Sequence, residues 1–139
     1  MATLSRVEEL GAWQQARALV ARIYELSKEG GLARDFALRD QMRAAAISVA
    51  SNVAEGFERS GRAEFVQFLS IAKGSAGELR AQLYLALDQH YLTEAEFIET
   101  KAMTERCAEL VSGLMRYLKR VPHRGNKFKP PAERAPRQP

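Results

Sequence analysis

Apolar residues recur along the chain at the three- and four-residue steps of amphipathic α-helices. Four such stretches predict helices over about residues 5–28, 37–59, 62–90 and 94–120, and Gly30–Gly31 stops the first of them before a loop. No useful length alternates apolar and polar residues with the period of a strand. Short connections between long helices favour an antiparallel up-and-down four-helix bundle, so the sequence predicts an all-α protein.

Polar residues with capping patterns mark several of the helix starts. Ser5 with Glu8, and Thr93 with Glu96, have the spacing of a capping box, which predicts starts for the first and fourth helices. Ser60 is predicted to cap the third helix.

The prolines divide the chain into two parts. They all lie after residue 121, at Pro122, Pro130, Pro131, Pro136 and Pro139. Because proline disrupts helix interiors, its absence before this point permits long helices, and its clustering afterwards predicts a non-helical tail. We therefore predict a bundle over residues 1–121 and a Pro-rich basic tail over residues 122–139.

Composition is typical of a soluble globular domain. Of 139 residues, 46% are hydrophobic and 27% charged, which suits a single domain with its own core. No apolar run approaches the ~18 residues of a membrane span, and Met1–Val7 has no signal-peptide core. The lone cysteine, Cys107, excludes an intrachain disulfide, and together these features predict a cytoplasmic protein without membrane contact.

Basic charge is concentrated at the C-terminus. From Lys119 onward there are seven Lys or Arg and one acidic residue, whereas residues 1–118 hold fourteen basic and sixteen acidic residues. A basic tail favours phosphate-rich partners such as RNA. The alternative is a tail that aids solubility and has no partner.

Two segments in the middle of predicted helices contain unusual residues. The second helix carries "SVASNVAEG" at Ser48–Gly56, and the third carries "AKGSAGEL" at Ala72–Leu79, although Ser, Asn and Gly are poor helix formers. Antiparallel pairing would set Ser48 near Lys73 and Gly74. We interpret the segments as a close contact in which small residues let the helices approach and Gln41, Asn52 and Glu78 hydrogen-bond across it. The residues assigned to this contact are Gln41, Ser48, Asn52, Glu55, Gly56, Gly74, Ser75, Gly77 and Glu78. The alternative is a ligand or nucleic-acid site.

The same region carries a family likeness. Leu38–Leu83 resembles the four-helix-bundle proteins encoded in intervening sequences of bacterial large-subunit ribosomal RNA genes. The matching residues are Gln41, Ala44, Ser48, Asn52, Ala54, Glu55, Gly56, Ala72, Gly74, Ser75, Glu78 and Leu79. The resemblance covers about residues 8–120 and implies a four-helix bundle, often assembled as a ring-like homopentamer. The chain also looks like the accessory variability proteins of diversity-generating retroelements, which are basic pentameric barrels that bind nucleic acid and a reverse transcriptase.

Nucleic-acid contacts have two sets of candidates. Arg39, Arg43, Lys73 and Arg80 would share a surface between the second and third helices, unless they form only weak ion pairs on a solvated face. The second set begins at the end of the fourth helix and continues around Phe128, in a pattern compatible with RNA contact or with a disordered or packed extension. Its members are Lys119, Arg120, Arg124, Lys127 and Lys129.

Catalytic patterns are missing from the sequence. Neither His90 nor His123 follows a glutamate by three residues, as a di-iron bundle would require, and Cys107 falls on an apolar helix face. We predict no metal and no cofactor. The predicted function is a non-catalytic, homo-oligomeric scaffold that binds RNA or other nucleic acid. The alternative is an adaptor that binds only a protein partner.

Overall fold

The protein is a bundle of four long antiparallel helices, seen in a computed structural model that describes residues 6–120. Helices α1 (Gly11–Ser27), α3 (Phe36–Glu58), α4 (Arg62–Asp88) and α5 (Glu94–Arg120) run up and down in chain order, and α2 (Gly30–Arg34) is one short turn. Each long helix packs on its chain neighbour, and α5 closes the bundle against α1. The predicted all-α four-helix bundle is confirmed, and the described range contains no strand.

The core is a single apolar cluster to which every long helix contributes. Its largest fully buried side chains are Leu10, Leu19, Ile23, Leu32, Met42, Leu69, Leu79, Leu83, Leu114, Leu118, Val49 and Val53. Most of them recur at three- or four-residue steps, which places them on one face of each helix. The predicted apolar stripes therefore form most of the core, but Tyr24 and Ile98, which were also assigned to them, are 41% and 59% exposed.

Several helix ends are fixed by side chains. In the predicted capping box before α5, the Thr93 amide donates to Glu96 Oε1 at 2.9 Å, and the Glu96 amide donates to Thr93 Oγ1 at 3.0 Å. Asp35 caps α3 by accepting a hydrogen bond from the Leu38 amide, and its other carboxylate oxygen accepts one from the Tyr91 hydroxyl at 2.9 Å. Asp35 thus ties the start of α3 to the α4–α5 connection.

Three local predictions are wrong. The first helix begins at Gly11 rather than Ser5, because a 3-10 turn over Val7–Glu9 precedes it. The predicted loop after Gly30 contains helix α2, and α4 starts after Gly61 without a side-chain cap from Ser60.

The end of α4 also differs from its predicted position at His90. The helix ends at Asp88, and His90 adopts a left-handed conformation with φ of 63°. The amides of His90 and Tyr91 donate to the carbonyls of Leu87 and Ala86, which is the bonding of a Schellman motif. A residue type other than glycine therefore occupies a position that favours glycine.

The predicted tail over residues 122–139 lies outside the described range, as do Arg124, Lys127 and Lys129. Among the residues that are described, no helix is both long enough and apolar enough to cross a membrane.

Candidate nucleic-acid interface

The two unusual segments meet where α3 packs on α4. The hydroxyl oxygens of Ser48 and Ser75 lie 2.7 Å apart and are hydrogen-bonded to each other. Asn52 donates from Nδ2 to the Ser48 carbonyl at 2.8 Å and to Ser48 Oγ at 3.1 Å. The predicted level of Ser48 beside residues 73 and 74 is thus off by only one or two residues, and small polar side chains link the two helices.

Gly56 shows why the α3–α4 contact needs a glycine. A Cβ atom built at this position would lie 2.8 Å from Phe65 Cδ1 and 3.0 Å from Phe68 Cβ. Phe65 is buried and packs edge-on against Phe57 with ring centroids 6.2 Å apart. Gly56 therefore lets the aromatic residues of α4 pack against the α3 backbone near the turn.

The other predicted contact residues play different parts. Gly74 and Gly77 are exposed, and a Cβ atom at either would meet nothing within 4 Å, so they do not permit the α3–α4 approach as predicted. Gln41 and Glu78 are also exposed rather than bonded across the contact. Glu55 is exposed and pairs with Arg59 at 2.6 Å, one helical turn away.

Two of the predicted nucleic-acid residues are engaged at the α1–α3 side of the bundle. Arg43 donates from Nε to Ser27 Oγ at 2.8 Å and from Nη2 to the Ser27 carbonyl at 3.2 Å, and its guanidinium lies over the Tyr24 ring. Arg39 pairs with Asp40 and donates to the Ala33 carbonyl. Both side chains therefore satisfy polar groups near the ends of α1 and α2.

The other two candidates on the bundle lie on α4. Arg80 Nε donates to Glu105 Oε2 on α5 at 2.8 Å, and this bond, with a second from Lys101, holds the pKa of Glu105 below its ordinary value. Lys73 is exposed. Because Arg43 reaches toward α1 and Arg80 toward α5, the four cations do not form the common surface that the sequence predicted.

Lys119 and Arg120 lie at the opposite end of the bundle from Arg39 and Arg43. Both are exposed in the last turn of α5, beside the start of α4. Lys119 and Arg62 line an open pocket of about 310 Å³, together with Val66 and Leu118. The uncapped N-terminus of α4 adds the positive end of a helix dipole to these two cations.

Charge separates the two ends of the bundle. Residues 6–12, 56–66 and 114–120 form the end where α4 starts, and they hold six basic and four acidic residues. Residues 22–40 and 88–99 form the other end and hold four basic and eight acidic residues. We call the first of these the basic end. The described range ends there at Arg120, and the sequence that follows holds five basic residues and one acidic residue.

Three features of the described residues bear on metal binding and acid–base chemistry. The described residues contain no cluster of three or more His, Cys, Asp or Glu side chains that could hold a metal ion. Burial raises the pKa of the Cys107 thiol to about 12, so it stays protonated near neutral pH. The pKa of Tyr91 is also raised, first because its hydroxyl donates to Asp35.

An apolar groove that was not predicted from the sequence lies between α1 and α3. It has a volume of about 360 Å³, and its lining includes Trp13, Arg17, Val20, Ile47 and Ala50. Its signal in the sequence is Ile47, an apolar residue off the predicted core stripe of α3, which is 41% exposed. Trp13 is half-buried at one end of the groove, where Arg17 stacks on its ring.

Comparisons with known proteins agree with this fold. A family model described as 23S rRNA-intervening sequence protein matches residues 8–113. No curated protein matches the chain. Among solved structures, the chain is similar to a protein of unknown function from the S23 ribosomal protein family of Bacteroides thetaiotaomicron VPI-5482. The two are 18% identical with a TM-score of 0.72, and the match covers 78% of this chain and 98% of that chain.

Proposed function

The chain belongs to the 23S rRNA-intervening sequence protein family, and from that premise we propose that it is a non-catalytic scaffold that binds RNA at its basic end. The carrying observation is the position of Lys119 and Arg120. They are exposed beside the uncapped start of α4, and a basic sequence follows Arg120 in the chain. This arrangement concentrates positive charge at one end of a body whose other end is acidic.

The charge at this end suits the phosphate backbone of a nucleic acid rather than a small substrate. Arg62 and Lys119 border the pocket between α4 and α5, and backbone amides at the start of α4 add donors for an anionic oxygen. Contacts of this kind give affinity that does not depend on base sequence and that falls with salt. We therefore propose RNA recognition by backbone charge.

The absence of catalysis is part of the proposal. The strongest candidate nucleophile, Cys107, is buried with a pKa of about 12, so its thiolate is scarce at neutral pH. We therefore propose that the protein acts by binding RNA and by self-association, both of which use its exposed surface.

Self-association completes the proposed scaffold. The exposed groove at Trp13 and Ile47 supports it, because apolar surface of this kind is typical of contact sites. From the family likeness we propose a ring-like homopentamer that acts in the cytoplasm. Repeating the basic end in each copy would strengthen binding to an RNA that reaches several copies at once.

A filter-binding assay with the full chain and a structured RNA tests the RNA proposal. We expect affinity to fall steeply between about 50 and 200 mM salt. The variant Lys119→Ala/Arg120→Ala should bind more weakly and reduce the slope of log K against log salt by about 1 to 2. The matched control is Lys28→Ala/Arg34→Ala, which removes two exposed cations from the other end and should keep the wild-type slope.

Two results would contradict RNA binding at the basic end. One is wild-type RNA affinity that does not change with salt, and the other is an equal loss of slope in both double variants. If the wild-type chain fails to bind RNA, the alternative of an adaptor that binds only protein is favoured, which the apolar groove also supports.

A further inference from the structure

The outer face of α4 has a regular pattern that nothing in the bundle covers. Ile71, Gly74, Glu78, Ala81 and Leu85 are all exposed, and they are separated by alternating steps of three and four residues. This is the spacing of a seam at which one helix packs against others. Ile71 is 49% exposed and Leu85 is 52% exposed, so apolar side chains stand at both ends of the face. We call these five residues the α4 seam.

The α4 seam has no side chain at one of its positions, Gly74. Gly74 lies in the interior of a helix of 27 residues, yet a Cβ atom there would meet nothing within 4 Å. Glycine is less favourable than alanine in a helix interior, and packing within this chain does not explain its presence. A surface that lets another backbone approach closely would explain it.

The groove between α1 and α3 offers an apolar surface to such a helix face. It is shallow and open, and its lining is mainly apolar, including Trp13, Val20, Ile47 and Ala50. An amphipathic helix that lays its apolar face into such a groove is a common mode of recognition between proteins. The groove and the α4 seam lie on different sides of the bundle, because the groove is formed by α1 and α3 and the seam faces outward from α4.

Charge favours a second copy of the chain as the occupant of the groove. Arg17 lines the groove and stacks on Trp13, but no carboxylate lies within 4.0 Å of it among residues 6–120. Glu78 lies at the centre of the α4 seam, and within the same described range it has no cation at that distance. A second copy of the chain thus supplies an apolar helix face and the missing carboxylate together.

We propose that the α4 seam of one copy docks in the α1–α3 groove of the next, with Glu78 paired to Arg17 across the contact. The contact is head-to-tail, because each copy contributes a different surface and keeps its other surface free for a further neighbour. This inference rests on the proposed self-association and names the surfaces that carry it.

Charge reversal tests the pairing. We expect Arg17→Glu and Glu78→Arg each to weaken association of the full chain by at least about tenfold, because like charges then face each other. The combined variant Arg17→Glu/Glu78→Arg should recover association to within about threefold of wild type, since the pair is restored with its signs exchanged. Sedimentation velocity from about 1 to 100 µM protein measures the strength of self-association of each variant.

Mixing the two single variants tests whether the Arg17–Glu78 pair forms between chains. An equimolar mixture of Arg17→Glu and Glu78→Arg chains places opposite charges at every contact between unlike chains, so the mixture should associate where each variant alone does not, although a ring of five cannot alternate the two chains at every contact. The controls are Arg106→Glu and Glu109→Arg, two charge reversals at exposed positions of α5, which should associate as wild type does. Circular dichroism checks that each variant remains folded.

The tryptophan supplies a second measurement. Trp13 is the single tryptophan of the chain and lines the groove. Its emission should shift to shorter wavelength as wild-type protein is concentrated, and should not shift for Arg17→Glu or Glu78→Arg chains. A shift that occurs equally in both single variants would contradict docking at the groove.

The outcomes separate this inference from the proposed function. If wild-type chains associate but the single variants associate equally well, or if the combined variant stays as weak as they are, these surfaces are not the contact and self-association stands. A wild-type chain that remains monomeric overturns both the docking and the self-association. RNA binding at the basic end is measured independently, with variants that touch neither surface.

Discussion

Glycines in this chain differ in what surrounds them. Every glycine gives its backbone the same conformational freedom. The effect of replacing it with alanine on stability depends on the atoms that the added Cβ atom would meet. At Gly56 that atom would meet the Phe65 ring and the Phe68 Cβ atom, and at Gly113 its nearest neighbour is the flexible end of Arg116 at 3.7 Å. The two positions thus form a natural comparison, because both are helical and only one is crowded.

Gly56→Ala should destabilise the protein by about 1–3 kcal/mol, because the added methyl group forces the aromatic residues of α4 away from α3. Gly113→Ala should instead stabilise it by about 0.5–1 kcal/mol, since alanine is the better helix former and has room. Urea denaturation measures both free energies of unfolding. A Gly56→Ala variant as stable as Gly113→Ala would contradict this. It would show that Phe65 and Phe68 can move to accommodate the methyl group without a loss of stability.

At His90, in contrast to Gly56, glycine should be more stable than a residue with a side chain. Its left-handed backbone at the end of α4 disfavours any side chain with a Cβ atom. His90→Gly should therefore stabilise the protein by about 0.5–1 kcal/mol. His90→Ala is the matched control and should give no such gain, because alanine retains the Cβ atom. Thermal unfolding of the two variants would decide between relief of backbone strain and loss of the imidazole.

At the scale of helices, the sequence predicted what depends on periodicity. The apolar steps gave the four long helices, and the Thr93–Glu96 pattern gave the start of α5. The short helix α2 was missed because five residues that begin with two glycines are too few to show a period. The resemblance to the intervening-sequence family, drawn from motifs in α3 and α4, is confirmed by the family match.

The candidate site was harder to predict than the helices. Antiparallel pairing placed Ser48 almost level with Ser75, because register follows from helix length and loop position. The directions of Arg43 and Arg80 did not follow from spacing, since Arg43 finds its acceptors on Ser27 and Arg80 finds Glu105. Sequence spacing within one helix cannot identify partners on its neighbours.

The Ser48–Ser75 hydrogen bond yields a prediction about the α3–α4 contact. Ser48→Ala and Ser75→Ala should each destabilise the protein, Ser48→Ala more so because Asn52 also bonds to Ser48 Oγ. A double-mutant cycle should give a coupling energy of about 0.5–1.5 kcal/mol, the usual net value of one hydrogen bond. Chemical denaturation of the four proteins measures it. Strictly additive effects would mean that the two hydroxyls do not stabilise the helix pair together.

For the whole molecule, the arrangement of the core predicts how the bundle unfolds. The buried residues of all four long helices belong to one continuous cluster, and α1 contacts both α3 and α5. A helix that detached alone would expose its own apolar face and leave cavities among its neighbours. No part of the bundle can therefore separate cheaply, and we expect a single cooperative transition in dilute solution.

Trp13 makes this last prediction measurable, because its fluorescence reports on α1 while far-ultraviolet circular dichroism reports on all the helices. The two thermal transitions should coincide at any one protein concentration. If the copies associate, both midpoints should rise together with concentration, since association stabilises only the folded chain. A fluorescence transition that precedes the loss of helicity would mean that α1 leaves the bundle first. The prediction of a single cooperative transition would then be wrong. The buried side chains of Leu19 and Ile23 would hold α1 in the bundle less tightly than the other three long helices hold one another.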